Sequence, residues 1–292
     1  MAGTSVRVYP RALSSGHSDP GRRHHPSYSD RGAWRIPPRK PEGASDPAGS
    51  GINARRIVTL SRGLRRMEGK PGYLLALDTA TLGLALALFD GAEWAAVAYW
   101  RTTDRHTAEL MQRCQEWMAR VGLTPEDLVA VAVVRGPGSF TGLRAGIAAA
   151  KGLAMALDCP LFGIGTEEAM LADLPPWMET LTVVLPAGRG RLAQRRYRWA
   201  ERWIPEGEPA LTTVEALIAS WTPGVWLVGE WTAREHTRLA QHPIAAWLIP
   251  RDGPSRVMGA ARLAWARYQA GERPDPALLR PIYLRTPSVP EG

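Results

Sequence analysis

Residues 135–144, Arg-Gly-Pro-Gly-Ser-Phe-Thr-Gly-Leu-Arg, stand between a compact β-branched run, Val129–Val134, and an Ala-rich stretch that continues to about Leu157. A run of that kind reads as a central strand buried on both faces, and the Ala-rich stretch as a helix. The order strand, glycine loop, helix belongs to α/β architecture. Gly136, Gly138 and Gly142 let the backbone turn sharply and approach another group closely. The helix that follows offers unpaired N–H groups and a positive dipole end, so an anion would be stabilised there. A tight structural turn that packs the helix on the strand explains the same spacing.

The pattern on either side extends this reading. Tyr73–Leu77, Leu84–Phe89 and Ala95–Trp100 read as three strands, with Asp90-Gly91 as the hairpin signal between the second and third. Leu110, Met111, Cys114, Trp117, Met118 and Val121 recur at helical spacing, and Thr107 is placed to cap that helix. Thr124-Pro125-Glu126-Asp127 looks like another helix start, with proline at the first helical position. Further on, strands are expected near 181–185 and 225–229, and helices near 213–220 and 255–271. The order βββαβα followed by a looser second copy is an α/β pattern with a mixed sheet, and a body of this length fits one large domain or two small lobes.

Composition separates a leading segment from this body. The 292 residues carry 36 Lys and Arg against 28 Asp and Glu. Residues 1–66 hold 13 basic and 4 acidic residues, and the remaining 226 hold 23 and 24, so nearly all the positive excess is N-terminal. A uniformly basic surface for nucleic acid is therefore not expected on the body. Residues 1–66 mix Arg, Ser, Pro, Gly and His without periodicity and are expected to be a disordered basic extension. Met67 stands where a natural start would, so the extension is read as a segment without a folded role and not part of the native protein; the other reading is a basic arm that touches RNA. The extension has no apolar core of the roughly 7–15 residues a secretory signal needs. Only Cys114 and Cys159 are present, too few for a disulfide framework or a cysteine metal cluster. No run approaches the roughly 18 apolar residues of a membrane span, and a soluble cytoplasmic protein is expected.

The established nucleotide and hydrolase motifs fail at the loop. Gly-x-Gly-x-x-Gly would need glycine at 141, where Thr141 stands, and a P-loop would need Gly-Lys-Ser/Thr where Gly142-Leu143-Arg144 follows. A nucleophile elbow around Ser139 would need glycine in place of Pro137 and Thr141. Asp78-Thr79-Ala80-Thr81, after the first strand, sets a carboxylate beside hydroxyls, which would suit a magnesium-bound phosphate but is also common turn chemistry. His106 would need a second histidine one turn on to hold a metal, and residue 110 is leucine. It is assigned a structural or interface role, and no metal site is expected. The 12 tryptophans are read as core and interface residues.

Taken together, Leu77-Asp78-Thr79-Ala80-Thr81, Arg105-His106-Thr107, the Arg135–Arg144 segment and the closing Pro281-Ile282-Tyr283-Leu284-Arg285 resemble the TsaB (YeaZ) family over roughly 70–290. The resemblance implies an actin-like ATPase (ribonuclease H-like) fold of two lobes with mixed sheets, the first over 67–175 and the second over 176–292, and no independent catalysis. It implies a scaffold for TsaD, which transfers a threonylcarbamoyl group to the adenosine beside the anticodon of certain tRNAs, with TsaE in the same assembly. TsaD-like relatives carry His-x-x-x-His on the first helix; here His106 remains and Leu110 takes the second place. By the same resemblance, Asp78, Thr79, Gly136, Gly138, Ser139, Thr141 and Gly142 are candidate nucleotide- or phosphate-facing residues. His106, Leu110, Met111, Cys114 and Arg144, on two helices of about 107–121 and 141–157, are candidate partner-interface residues. No cofactor is expected to be required by the chain alone, with ATP or ADP bound weakly at most. The partners expected are TsaD, TsaE, a second copy of the chain, and tRNA through the complex, with no membrane.

The second half departs from the family pattern. Where an Asp-Ala-Arg is usual, Pro186-Ala187-Gly188-Arg189-Gly190-Arg191 stands, and Arg189, Arg191, Arg195, Arg196 and Arg198 make this stretch basic. It reads as a solvated strand edge guarded by charge or as an edge facing tRNA. The competing function is an independent actin-like ATPase, kinase or peptidase. It would show turnover by the isolated chain, whereas an RNA module would show salt-sensitive binding that depends on residues 1–66.

Overall fold

Three strands in a meander begin the fold: β1 (Tyr73–Asp78), β2 (Gly83–Phe89) and β3 (Trp94–Arg101). The computed structural model describes residues 72–81, 83–101, 110–188 and 190–284. The expectations for 1–66, His106, Thr107, Arg105, Arg189 and Arg285 lie outside the described residues. The Asp90 carboxylate closes the β2–β3 turn by accepting from the Ala92 and Glu93 N–H groups at 2.9 and 2.7 Å. β4 (Leu128–Val134) then lies parallel to β1, and β5 (Leu161–Ile164) parallel to β4. The first sheet thus has the order β3-β2-β1-β4-β5.

Alternation along β1 and β2 divides large from small side chains. Leu75, Leu77, Leu84, Leu86 and Leu88 fill one face, against α1 (Leu110–Arg120) and α2 (Phe140–Ala156). Ala76, Ala85 and Ala87 dominate the other face. Both faces are covered, which explains strands that are apolar at every position. The helix expected at Thr124 is a single 3-10 turn, Pro125–Asp127. It stops there because Leu128, paired with Tyr73, already belongs to β4.

A second sheet repeats the plan. β6 (Thr180–Pro186), β7 (Leu192–Ala200) and β8 (Arg202–Thr212) form a meander, followed by α4 (Val214–Ser220), β9 (Trp226–Gly229), α5 (Ala233–Ala240), β10 (Leu248–Pro250) and α6 (Gly253–Gln269). Its order, β8-β7-β6-β9-β10, is that of the first sheet. β7 is therefore an interior strand, not the edge that its arginines suggested. The edge is β8, where Pro205 and Pro209 remove backbone donors that a foreign strand would need.

The two halves exchange a helix. α3 (Thr166–Leu171) follows β5 of the first sheet, yet Met170 and Leu171, with Leu174 just beyond, pack on Leu181, Val183 and Tyr197 of the second. α6 follows β10 of the second sheet but lays Val257, Ala260, Ala261 and Ala264 on the alanine-rich face of the first. Small residues on both sides let α6 approach the sheet closely. A division of the chain at 175 separates the sheets but not their covering helices. Two mixed sheets of identical order with helices between and outside them form the two-lobed actin-like ATPase fold of the ribonuclease H-like class.

Candidate functional site

The candidate site lies where the end of β1 meets the glycine loop. The Ser139 N–H donates to the Ala80 carbonyl at 2.7 Å, and the Thr79 hydroxyl donates to the Gly142 carbonyl at 2.7 Å. A Cβ on Gly138 would fall 2.2 Å from the Ala80 oxygen, and one on Gly142 would fall 2.1 Å from the Thr79 oxygen. The two segments with phosphate-compatible chemistry are thus packed on each other, backbone to backbone, and their glycines serve that contact. Ser139 caps α2, its Oγ accepting from the Gly142 N–H at 3.3 Å. Gly136 lies under the C-terminal segment, where the Ile282 N–H donates to the Arg135 carbonyl at 2.7 Å. Thr141 is exposed.

Asp78 has no exposed surface, and both its oxygens are engaged. Oδ1 accepts from the Ala80 N–H at 2.8 Å, and Oδ2 from Arg256 Nε at 2.8 Å. Arg256 Nη1 donates to Glu230 Oε2 at 2.7 Å and to the Arg251 carbonyl at 3.1 Å, and Nη2 donates to the Thr81 hydroxyl. Burial pushes the Asp78 carboxyl above the usual carboxylate range, against the opposing pull of Arg256. The charges of Asp78 and Glu230 in turn hold the guanidinium protonated. Arg256 and Glu230 were not singled out from the sequence, but a signal existed. Gly253, Arg256, Val257, Ala260, Ala261 and Ala264 form one helical stripe, and an arginine on an otherwise small apolar stripe demands a buried partner.

The expected interface residues divide by burial. Leu110 and Cys114 are completely buried and face the first sheet, which uses their stripe for the core. Burial pushes the Cys114 thiol up to about 12. Met111 is half-buried, and Arg144 is exposed with its guanidinium 5.1 Å from the Phe140 ring centroid. Of the seven large apolar residues exposed among the described residues, five are Phe140, Met155, Leu278, Ile282 and Tyr283. All five lie on α2 or on the C-terminal segment beside it. Phe140 packs on Tyr283 at 5.2 Å between centroids, and Lys151 Nζ donates to the Ala277 carbonyl at 3.3 Å. The basic run on β7 is partly compensated: Arg196 and Arg198 pair with Glu206 at 3.4 and 3.3 Å, and Arg195 with Glu167 at 3.6 Å.

These features define a protein of the actin-like ATPase fold in which Asp78 is paired with Arg256 and five of the seven exposed large apolar residues among the described residues lie on α2 or the C-terminal segment. The TsaD family model, described as tRNA N6-adenosine threonylcarbamoyltransferase, matches residues 101–243. The tRNA threonylcarbamoyladenosine biosynthesis protein TsaB of Escherichia coli K12 is 35% identical over 222 residues, 73% of this chain and 94% of that protein. TsaB of Bacillus subtilis is 27% identical over 150 residues, 51% of this chain and 63% of that one. The structure of YeaZ from Pseudomonas aeruginosa superposes with a TM-score of 0.56 at 23% identity, covering 73% of this chain and all of that one. The chain belongs to the TsaB family.

Proposed function

We propose that the chain is a noncatalytic subunit in tRNA threonylcarbamoyladenosine biosynthesis that acts by binding and activating TsaD. The apolar strip of Phe140, Met155, Leu278, Ile282 and Tyr283 carries this reading, because exposed patches of this kind mark protein contacts. The TsaD family model matches nearly half the chain, so the partner shares this fold and two like surfaces can pair. In the absence of TsaD, the same strip would pair two copies of the chain. TsaE and tRNA then engage the complex, tRNA through TsaD. The noncatalytic part rests on Asp78, whose oxygens are both taken, and the chain alone requires no cofactor.

The test mixes the purified chain with its cognate TsaD and measures complex formation by light scattering. A stable complex is expected. Met155→Asp and Phe140→Asp are expected to weaken it at least about tenfold while leaving the melting temperature unchanged, since a charge would be buried at an apolar contact. Absence of any complex, or wild-type affinity in folded variants, would overturn the proposal.

A further inference from the structure

The actin-like fold implies a metal-bound nucleotide in the cleft, and the residues present do not fit one. Asp78 has no free oxygen, and the carbonyls of Thr79 and Ala80 fill the space against the glycine loop. What fits the two carboxylates is a planar cation, and the chain supplies it from α6. We propose that the cleft is a guanidinium site filled in cis by Arg256, which ties the strand ends of the two lobes together where the fold would otherwise hold a ligand.

The partners of the guanidinium come from both sheets. Asp78 ends β1, and Thr81 belongs to the turn after it, in the first sheet. Glu230 follows β9 in the second sheet, and its N–H donates to the Val184 carbonyl of β6 at 3.3 Å. Arg251 follows β10, and its N–H donates to the Gly229 carbonyl at 2.6 Å. Four hydrogen bonds from one fork therefore join three segments: the Asp78–Thr81 turn of the first sheet, and the ends of β9 and β10 in the second. Arginine suits the task because its fork bonds two carboxylates at once and stays charged when buried, whereas lysine offers a single point charge. The arrangement goes beyond the proposed partner role and stands without it: a closed cleft would persist whether or not TsaD binds.

The test is hydrogen exchange of the full chain, followed by mass spectrometry, at peptides covering 78–81 and 229–231. In Arg256→Ala both peptides should exchange about a hundredfold faster, in step, as loss of one member of a buried ion pair implies. Millimolar methylguanidinium should restore protection in Arg256→Ala but not in Arg256→Ala combined with Asp78→Asn. In the wild type, magnesium-ATP should leave both peptides unchanged. Loosening confined to one lobe, no rescue by methylguanidinium, or protection by magnesium-ATP would overturn the proposal. If Arg256→Ala does not fold, Arg256→Lys serves in its place: it should loosen both peptides, and wild-type protection in that variant would contradict a forked clamp.

Discussion

Leu110 and Met155 are both apolar residues on the outer helices of the first lobe, and burial gives them opposite tasks. Leu110 is fully buried, while Met155 is 73% exposed. Leu110→Ala should cost about 2–5 kcal/mol of stability, whereas Met155→Ala should stay within about 0.5 kcal/mol. Urea denaturation checks both, and a large loss at Met155 would show that it serves the core. Glu167 supplies a pH test. It is buried, accepts from the Tyr197 hydroxyl at 2.8 Å, and burial raises its carboxyl above the ordinary 4.5 despite Tyr197 and Arg195. The folded state therefore holds the proton more tightly than the unfolded one. Its contribution is fully present below 4.5 and is lost as pH rises through the raised value. Glu167→Gln, which cannot ionise, should gain melting temperature relative to wild type as pH is raised from about 4 to about 7. A relative loss over that interval would contradict the assignment.

Within single elements, α2 shows how the same substitution changes sign with its surroundings. Gly142 and Gly152 are both in this helix, where alanine is ordinarily better than glycine by roughly 0.8–1 kcal/mol. Around Gly152 nothing lies within 4 Å of an added Cβ, so Gly152→Ala should stabilise by about that amount. At Gly142 the Cβ would sit 2.1 Å from the Thr79 oxygen, so Gly142→Ala should destabilise instead. Equal effects in urea melts would remove the loop-packing account. The elements legible in the sequence are those with an apolar run or a helical stripe: β1, β2, β3, α1, β4, α2, β6, α4, β9 and α6. α3, β5, β10 and α5 were not anticipated; the first three have only three to six residues, and α5 buries a single side chain, Leu239, so none shows a clear apolar period. β8 was hidden by Pro205, Gly207 and Pro209, which punctuate it like a loop. The Asp78 turn and glycine loop were identified, but their mutual contact and the guanidinium between the lobes were not. The stripe on α6 marks Arg256 as buried, but pairing over 178 residues of chain leaves no local pattern that names its partner.

Across the described residues, two copies of one sheet order, an exchange of covering helices and a buried ion cluster tie the two sheets together. Five of the seven exposed large apolar residues lie on α2 and the C-terminal segment, the surface the proposed partner role would use. No helix among the described residues is long and apolar enough to cross a membrane. The most direct measurement is incorporation of threonylcarbamoyl into tRNA from threonylcarbamoyl-adenylate, with cognate TsaD and TsaE, in the presence and absence of this chain. The account predicts no incorporation by the chain alone, full incorporation when it joins TsaD and TsaE, and a marked loss when Met155→Asp replaces it. Incorporation by the isolated chain, or undiminished incorporation without it, would contradict the account.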